Sequence, residues 1–327
     1  MISNDIRYVG VNDHQIDLFE GQYVVPSGMA YNSYVILDEK VAVMDTVDAH
    51  FGAQWLDNIA AVLGDRQPDY LVVQHMEPDH SANIQLFLER YPQAALVGNA
   101  KTFVMMGQFF PTLPECAKVT VTDGQTLSLG KHSLTFVFAP MVHWPEVMVT
   151  YDIGEKILFS ADAFGTFGAL DGALFADEAD FFGDYLDEAR RYYTNIVGKY
   201  GKQVQDVLKK ASGIEIKMVC PLHGFVWRKK FNQFLEKYIQ WATYTPEETG
   251  VVIAYASVYG NTANTADILA AKLRELGVGR VLDPDGAVFV PCPDRAQHTW
   301  LADVLACFGG APPVLDRAPC CGLGRGS

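Results

Sequence analysis

Short apolar runs broken by turn residues fill the first 75 positions and predict strands. Tyr34-Val35-Ile36-Leu37 and Val41-Ala42-Val43-Met44 flank Asp38-Glu39-Lys40 and read as a hairpin. Tyr70-Leu71-Val72-Val73 is wholly apolar and stops just before His75, as a central strand does when it delivers a loop at its carboxyl end. A helix is predicted next, because Ile84, Phe87, Leu88 and Tyr91 recur at i, i+3, i+4, i+7, with Asp79 or Ser81 as N-cap.

A second strand-rich stretch runs from 118 to 159. It contains Val119-Thr120-Val121, Leu134 to Phe138, Val147 to Tyr151 and Ile157-Leu158-Phe159. Helical patterns fill 178–210 and 230–241, and the strand Ile216 to Cys220 between them ends shortly before His223. Hairpins outnumber crossovers in this order. It fits a four-layer αββα sandwich of the α+β class, with helices outside two sheets, better than a doubly wound parallel sheet. Residues 246–250 (Pro-Glu-Glu-Thr-Gly) form the best linker. After it, Val251 to Tyr255 predicts a strand, Ala256 to Thr262 a polar loop, and Ala263 to Leu276 a helix with Ile268, Leu269, Leu273 and Leu276 inward.

Composition adds bounds. The 327 residues suit two domains of about 150 residues each. A net charge of −14 repels phosphate backbones and anionic lipid, which argues against nucleic-acid and membrane partners. No basic-then-apolar leader opens the chain, and no apolar run approaches membrane-spanning length. Cys116 and Cys220 are too few and too isolated for a disulfide framework, so a reducing cytoplasm is expected.

The chemistry concentrates in loops after strands. His75, Glu77, Asp79 and His80 fall within six residues, and His143, Asp162 and His223 each follow a predicted strand. Met76 and Pro78 alternate with His75, Glu77 and Asp79, so an extended loop would point those three ligands one way. Four imidazoles and three carboxylates without a thiolate suit two cations of iron, manganese or zinc, with Asp162 as the candidate bridge. His14, His50, His132 and His298 lack acidic or histidine neighbours at useful spacing and read as surface or core residues.

The run His-x-Glu-x-Asp-His resembles the metal motif of flavodiiron proteins, relatives of the metallo-β-lactamases. The resemblance extends to Val142-His143-Trp144-Pro145-Glu146, Ser160 to Gly165 and Pro221-Leu222-His223-Gly224, and spans residues 1–276. It implies a metallo-β-lactamase-like di-iron domain over residues 1–245. His75, Glu77 and His143 would hold one iron and Asp79, His80 and His223 the other, with Asp162 between; His80 is either a ligand or a group behind the ligands. Zinc hydrolases of the superfamily carry His-x-His-x-Asp-His; Glu77 in place of the middle histidine adds a hard anionic ligand that favours iron. The resemblance implies reduction of O2 to water or NO to N2O. It also implies FMN on a flavodoxin-like domain, a rubredoxin-like or NADH-linked donor, and a head-to-tail homodimer.

Ser257-Val258-Tyr259-Gly260-Asn261-Thr262 fits the FMN phosphate loop, following a strand and opening a helix. Past Leu276 the resemblance stops, so only residues 251–276 read as flavodoxin-like. The tail from 277 to 327 holds Cys292, Cys307, Cys320 and Cys321, six of the sixteen prolines and no lysine. It reads as a reading-frame shift, a degenerate flavodoxin half, or a cysteine tail that lacks the Cys-x2-Cys pair a metal site would use. The expectation is that this chain alone binds FMN poorly or not at all. A dinuclear zinc hydrolase and an inactive metal-binding fragment remain the rival readings.

Overall fold

Tyr34–Ile36 and Ala42–Met44 are buried at every position, which an antiparallel hairpin achieves only when both of its faces are covered. Alternation sorts the two faces. Val35 and Val43 pack with Trp55 and Ile59 of the helix Gly52–Leu63. Tyr34, Ile36, Ala42 and Met44 pack with Leu134, Phe136, Met148 and Phe159 of a second sheet. The fold is therefore the αββα sandwich. The computed structural model describes residues 2–279 and 281–282. The chain divides into two units, Met1–Pro246 and Glu247–Ser327.

In the first unit, the first sheet is ordered Ile6–Tyr8, Tyr34–Ile36, Ala42–Met44, Tyr70–Val72, Ala95–Asn99, Lys118–Val121. Its first two ladders are antiparallel and its last three parallel. Parallel pairing is thus commoner here than the hairpin pattern suggested. Ala95–Asn99, a fully buried strand the sequence reading missed, sits between two parallel neighbours. Its small residues (Ala95, Gly98) give little apolar signal. The second sheet is ordered Thr126–Ser128, Ser133–Phe138, Met148–Asp152, Ile157–Phe159, Met218–Cys220, antiparallel except for its last pair. Helices Leu186–Tyr192, Gly201–Ala211 and Phe231–Ala242 bury Ala189, Tyr192, Val204, Phe234 and Tyr238 in the cluster that also holds Val149 and Val219. No helix among the described residues is long and apolar enough to cross a membrane.

Register fixes the two ends of the sandwich. Ala42 pairs with Tyr70 and Leu134 with Asp152, so Asp38, His132 and Asp152 gather at one end. The strands Ala42–Met44, Tyr70–Val72 and Ser133–Phe138 run away from that end, and the loops carrying His75 to His80 and His143 follow the last two.

In the second unit, Val251–Val252 pairs in parallel with Val281–Leu282, with the helix Asn261–Glu275 between them in sequence. The β–α–β pattern thus continues one short strand past Leu276. The inward face of the helix also differs from expectation. Ala266 and Ala270 are buried and Leu273 is partly so, whereas Ile268, Leu269 and Leu276 are exposed. A pair of two-residue strands is wide enough to cover only that narrow stripe. The rest of the divergent tail, with its four cysteines, lies outside the described residues, as does His298.

Candidate metal centre

The seven side chains singled out by the sequence are all buried, and they gather into two groups: His75, Glu77, His143 and Asp162, and Asp79, His80 and His223. The ligand loop is not extended throughout, as the alternation had suggested. Pro78 opens a short helix, Pro78–Ser81, at the position where its fixed φ fits and its missing N–H costs nothing. The backbone therefore turns after Glu77. His75 and Glu77 face one group, and Asp79 and His80 the other. The following helix, Ile84–Arg90, is capped by Asn83, not Asp79 or Ser81.

In the first group, His143 Nε2 lies 2.9 Å from Glu77 Oε2 and 3.0 Å from Asp162 Oδ2, and His75 Nε2 lies 3.2 Å and 3.3 Å from the same oxygens. In the second, His223 Nε2 lies 2.9 Å from His80 Nε2 and 3.2 Å from Asp79 Oδ2. His80 Nε2 is also 3.2 Å from Asp162 Oδ1. Asp162 thus presents one carboxylate oxygen to each group.

Two features show that these donors suit cations. First, Asp79 Oδ1 and Oδ2 and Asp162 Oδ1 are buried without a hydrogen bond, and a buried anionic oxygen left so is costly unless a cation faces it. Second, the side chains shift one another's pKa so as to favour positive charge here. Burial pushes the imidazoles of His80 and His143 down. Asp79 and Asp162 overcome this at His80, as Asp162 and Glu77 do at His143, and both are held up at about 9. Burial raises Glu77 and Asp162 in turn, but the histidines win and hold both carboxyls well below the usual range.

A layer behind the donors fixes them. The Nδ1–H of His75 donates to Glu146 Oε1 at 2.8 Å, and the same oxygen accepts from the Met76 N–H at 2.9 Å. The Nδ1–H of His223 donates to the Ala30 carbonyl at 2.8 Å. Each bond leaves Nε2 as the free lone pair. Asp45 Oδ1 accepts from the N–H groups of Gln74 and His75, at 2.7 and 3.3 Å, and burial pushes its carboxyl up to about 6. Sequence reading missed Asp45, although an acid directly after the apolar strand Ala42–Met44 is the same signature that singled out His75. Asp45, Met141, Ala161 and Phe164 all take left-handed φ, between 49° and 69°. Each costs about 1–2 kcal/mol in a non-glycine residue, and all four lie in loops that carry or brace the site. Tyr192 was also missed; its ring centroid is 5.6 Å from that of His223, and its hydroxyl is buried without a partner.

The remaining histidines behave differently. His14 and His50 are exposed, beside Asp171 and Asp48. His132 is buried and does have acidic partners, against the spacing argument, because the fold brings them from 20 and 127 positions away. Its Nδ1 lies 2.9 Å from Asp152 Oδ2, its Nε2 3.4 Å from Asp5 Oδ2, and its N–H donates to Asp38 Oδ2 at 2.6 Å. Asp5, His132 and Glu155 are near enough to hold a cation, but Lys131 pairs with Asp5 and lies 3.8 Å from Glu155.

In the second unit, Ser257 to Thr262 lead into the helix Asn261–Glu275, two residues earlier than expected. Gly260, at φ 83°, is the N-cap and supplies no side-chain bond. The Ser257 hydroxyl is buried and unpartnered, while Val258 and Tyr259 are almost fully exposed.

Residues 29–224 match the model of the "ODP family beta lactamase". The chain is 33% identical over 296 residues to the anaerobic nitric oxide reductase flavorubredoxin of Vibrio vulnificus, covering 88% of this chain and 57% of that one. It superposes on the rubredoxin oxygen:oxidoreductase of the anaerobe Desulfovibrio gigas with a TM-score of 0.80, at 31% identity, covering 86% of this chain and 71% of that one. With the flavodiiron protein from Giardia intestinalis the TM-score is 0.78, again at 31% identity, covering 86% and 68%. The chain therefore spans little more than half the length of the flavorubredoxin it resembles.

Proposed function

The chain belongs to the flavodiiron proteins, and we propose on that premise that it is an oxidoreductase reducing NO to N2O, O2 to water, or both, at a di-iron centre. The observation that carries this reading is Asp162, whose two oxygens face two separate groups of nitrogen and oxygen donors. We assign His75, Glu77 and His143 to one iron and Asp79, His80 and His223 to the other, with Asp162 between them. Including His80 rests on its Nε2, which shares the space of Asp79, His223 and Asp162 Oδ1.

When bound, two ferrous ions supply two electrons together, so no one-electron product need be released. The protein's own groups prepare the site. Glu146 and the Ala30 carbonyl hold the His75 and His223 rings in the tautomer that offers Nε2. Asp45 pins the backbone ahead of the ligand loop. Phe19, Tyr31 and Tyr192 pack around His223 and limit water there. Further electrons would come from FMN, with its phosphate at Ser257 to Thr262. The uncapped helix N-terminus and the buried Ser257 hydroxyl suit a phosphate; the ring-binding part of such a domain lies outside the described residues. A rubredoxin-like or NADH-linked reductase is the expected donor, a head-to-tail homodimer the expected assembly, and the cytoplasm the expected compartment.

Metal analysis and turnover test this. Two irons per chain, with consumption of NO or O2 when a reduced flavin is supplied, are expected. Two zincs with hydrolysis of a thioester or lactone would overturn it, and Glu77 together with the reductases among the relatives weighs against that outcome. Iron without turnover would mean a fragment that lacks its electron supply. A stoichiometric flavin absorbance in the purified chain would overturn the expectation of weak FMN binding.

A further inference from the structure

Tyr192 stands against the second metal group, with its ring centroid 5.6 Å from that of His223. Gly165, three residues after Asp162, makes room for it. A Cβ at 165 would lie 2.7 Å from Tyr192 Cζ and 3.0 Å from its hydroxyl. A line of oxidisable rings leads away from this point. Tyr193 is the next residue, its Cα about 3.8 Å further along the chain, where the helix Leu186–Tyr192 widens into a π turn, Tyr193–Val197. The Tyr193 ring lies 4.7 Å from Tyr238 and 5.6 Å from Trp241, and Tyr238 lies 6.3 Å from Trp241. Phe164, beside Gly165, joins the same group at 4.5 Å from Tyr238. Trp241 ends the line. It is 9% exposed, against 2% or less for the three tyrosines, and the partly exposed Arg190 guanidinium lies 5.7 Å over its ring.

Packing alone does not explain these residue types. Phe164, Phe167, Phe231 and Phe234 fill the same cluster without polar atoms. The Tyr192 and Tyr193 hydroxyls are buried and meet no partner among the described residues. That is costly where phenylalanine would pack as well. The Tyr238 hydroxyl accepts only a long bond, 3.4 Å, from the Phe164 N–H. What phenol and indole add to a benzene ring is the ability to give up single electrons. Four such rings lead from an imidazole of the centre towards the surface.

We propose that Tyr192, Tyr193, Tyr238 and Trp241 form a chain that passes single electrons between the surface and the dinuclear centre. The proposal rests on the reductase reading above, with O2 as the oxidant. Reducing O2 to two waters takes four electrons and four protons. Two electrons come from ferrous iron. Tyr192 loses one electron and its O–H proton. Trp241, acting through Tyr238 and Tyr193, loses one electron and its N–H proton, and the last two protons come from solvent. Two neutral radicals remain, one on a phenol and one on an indole. A low-molecular-weight thiol in solution returns a hydrogen atom to each, and two thiols leave as one disulfide. The chain thereby completes the four electrons when no reduced flavin is at hand.

The test uses the full chain, loaded anaerobically with ferrous iron, as wild type, Tyr192→Phe, Trp241→Phe and the double variant Tyr193→Phe/Tyr238→Phe. One pulse of O2 followed by rapid freezing should give wild type an EPR signal with tyrosyl and tryptophanyl components. Tyr192→Phe is expected to keep the wild-type iron content and lose both components. Trp241→Phe and the double variant should each lose the tryptophanyl component and keep the tyrosyl one. Wild type that consumes O2 without forming a radical would overturn the proposal, as would the same radical in all four proteins. Loss of iron in Tyr192→Phe would also overturn it, because the ring would then serve only to support His223. If wild type consumes no O2, the reading of the centre as an O2 reductase fails by itself, and the metal-free chain decides. Azide radicals made by pulse radiolysis oxidise tryptophan first. The tryptophan-to-tyrosine transfer that follows should shrink in Trp241→Phe and in the double variant, and equal transfer in all of the proteins sinks the chain.

Discussion

Two buried clusters of histidine and carboxylate sit at opposite ends of one sandwich, and they differ in whether their polar atoms are already satisfied. Around His132 the acids are paired. Asp152 accepts from the Ser133, Gly154 and Glu155 N–H groups as well as from His132, Asp38 accepts from the His132 N–H, and Lys131 neutralises Asp5. At the other end, Asp79 and Asp162 keep oxygens without hydrogen bonds, and imidazole nitrogens point at them and at one another. Residue types alone do not separate a clasp from a metal centre. Unsatisfied lone pairs do, because burial makes each of them costly until a cation arrives.

The largest effect should separate the two ends outright. Asp162→Asn removes the oxygen pair facing both groups and is expected to reduce metal content from two ions per chain to one or none, read by elemental analysis. Asp152→Asn should do the reverse. It leaves His132 buried beside a lost charge, so stability should fall by about 3 kcal/mol in chemical denaturation while metal content stays at the wild-type level. If Asp152→Asn lost metal, the two clusters would not be independent.

Smaller changes sharpen the contrast. Glu146→Gln keeps the shape but weakens the brace on His75; metal affinity measured by competition with a chelator should drop roughly 10- to 100-fold. An unchanged affinity would mean that the Met76 contact alone orients the loop.

The mildest test is pH, and the two ends should respond with opposite sign. His80 and His143 hold protons up to about 9, and a cation must displace them, so metal affinity should climb from neutral pH towards that value. His132 is raised by its hydrogen bond to Asp152. Its contribution to stability is complete below its unfolded pKa and is lost as pH rises through the folded value. Metal-free wild type should therefore lose stability as pH rises above the ordinary histidine value, and His132→Asn should lose less. Parallel pH curves for the two proteins would show that the His132 proton does not support the fold.

Local signals carried much of this. Wholly apolar runs located the strands that end at His75 and His223, and six residues supplied four donors to the centre. Ala95–Asn99 escaped because small residues give no strong pattern, and Asp45 because a single acid after a strand is common. In the second unit, the apolar spacing of Ile268, Leu269 and Leu276 suggested an inward face that the short strands do not cover.

Residue type and order by themselves determined the layered fold class and pointed to the seven side chains that the fold brings together, with Glu77 the one proposed to favour a hard cation. The tertiary structure alone decided how those donors divide, because Pro78 turns the chain between Glu77 and Asp79. It also decided that His132 is clasped, with acids brought from 20 and 127 positions away. Each of these depends on which groups meet in space, and backbone direction and long-range register fix that where spacing along the chain does not.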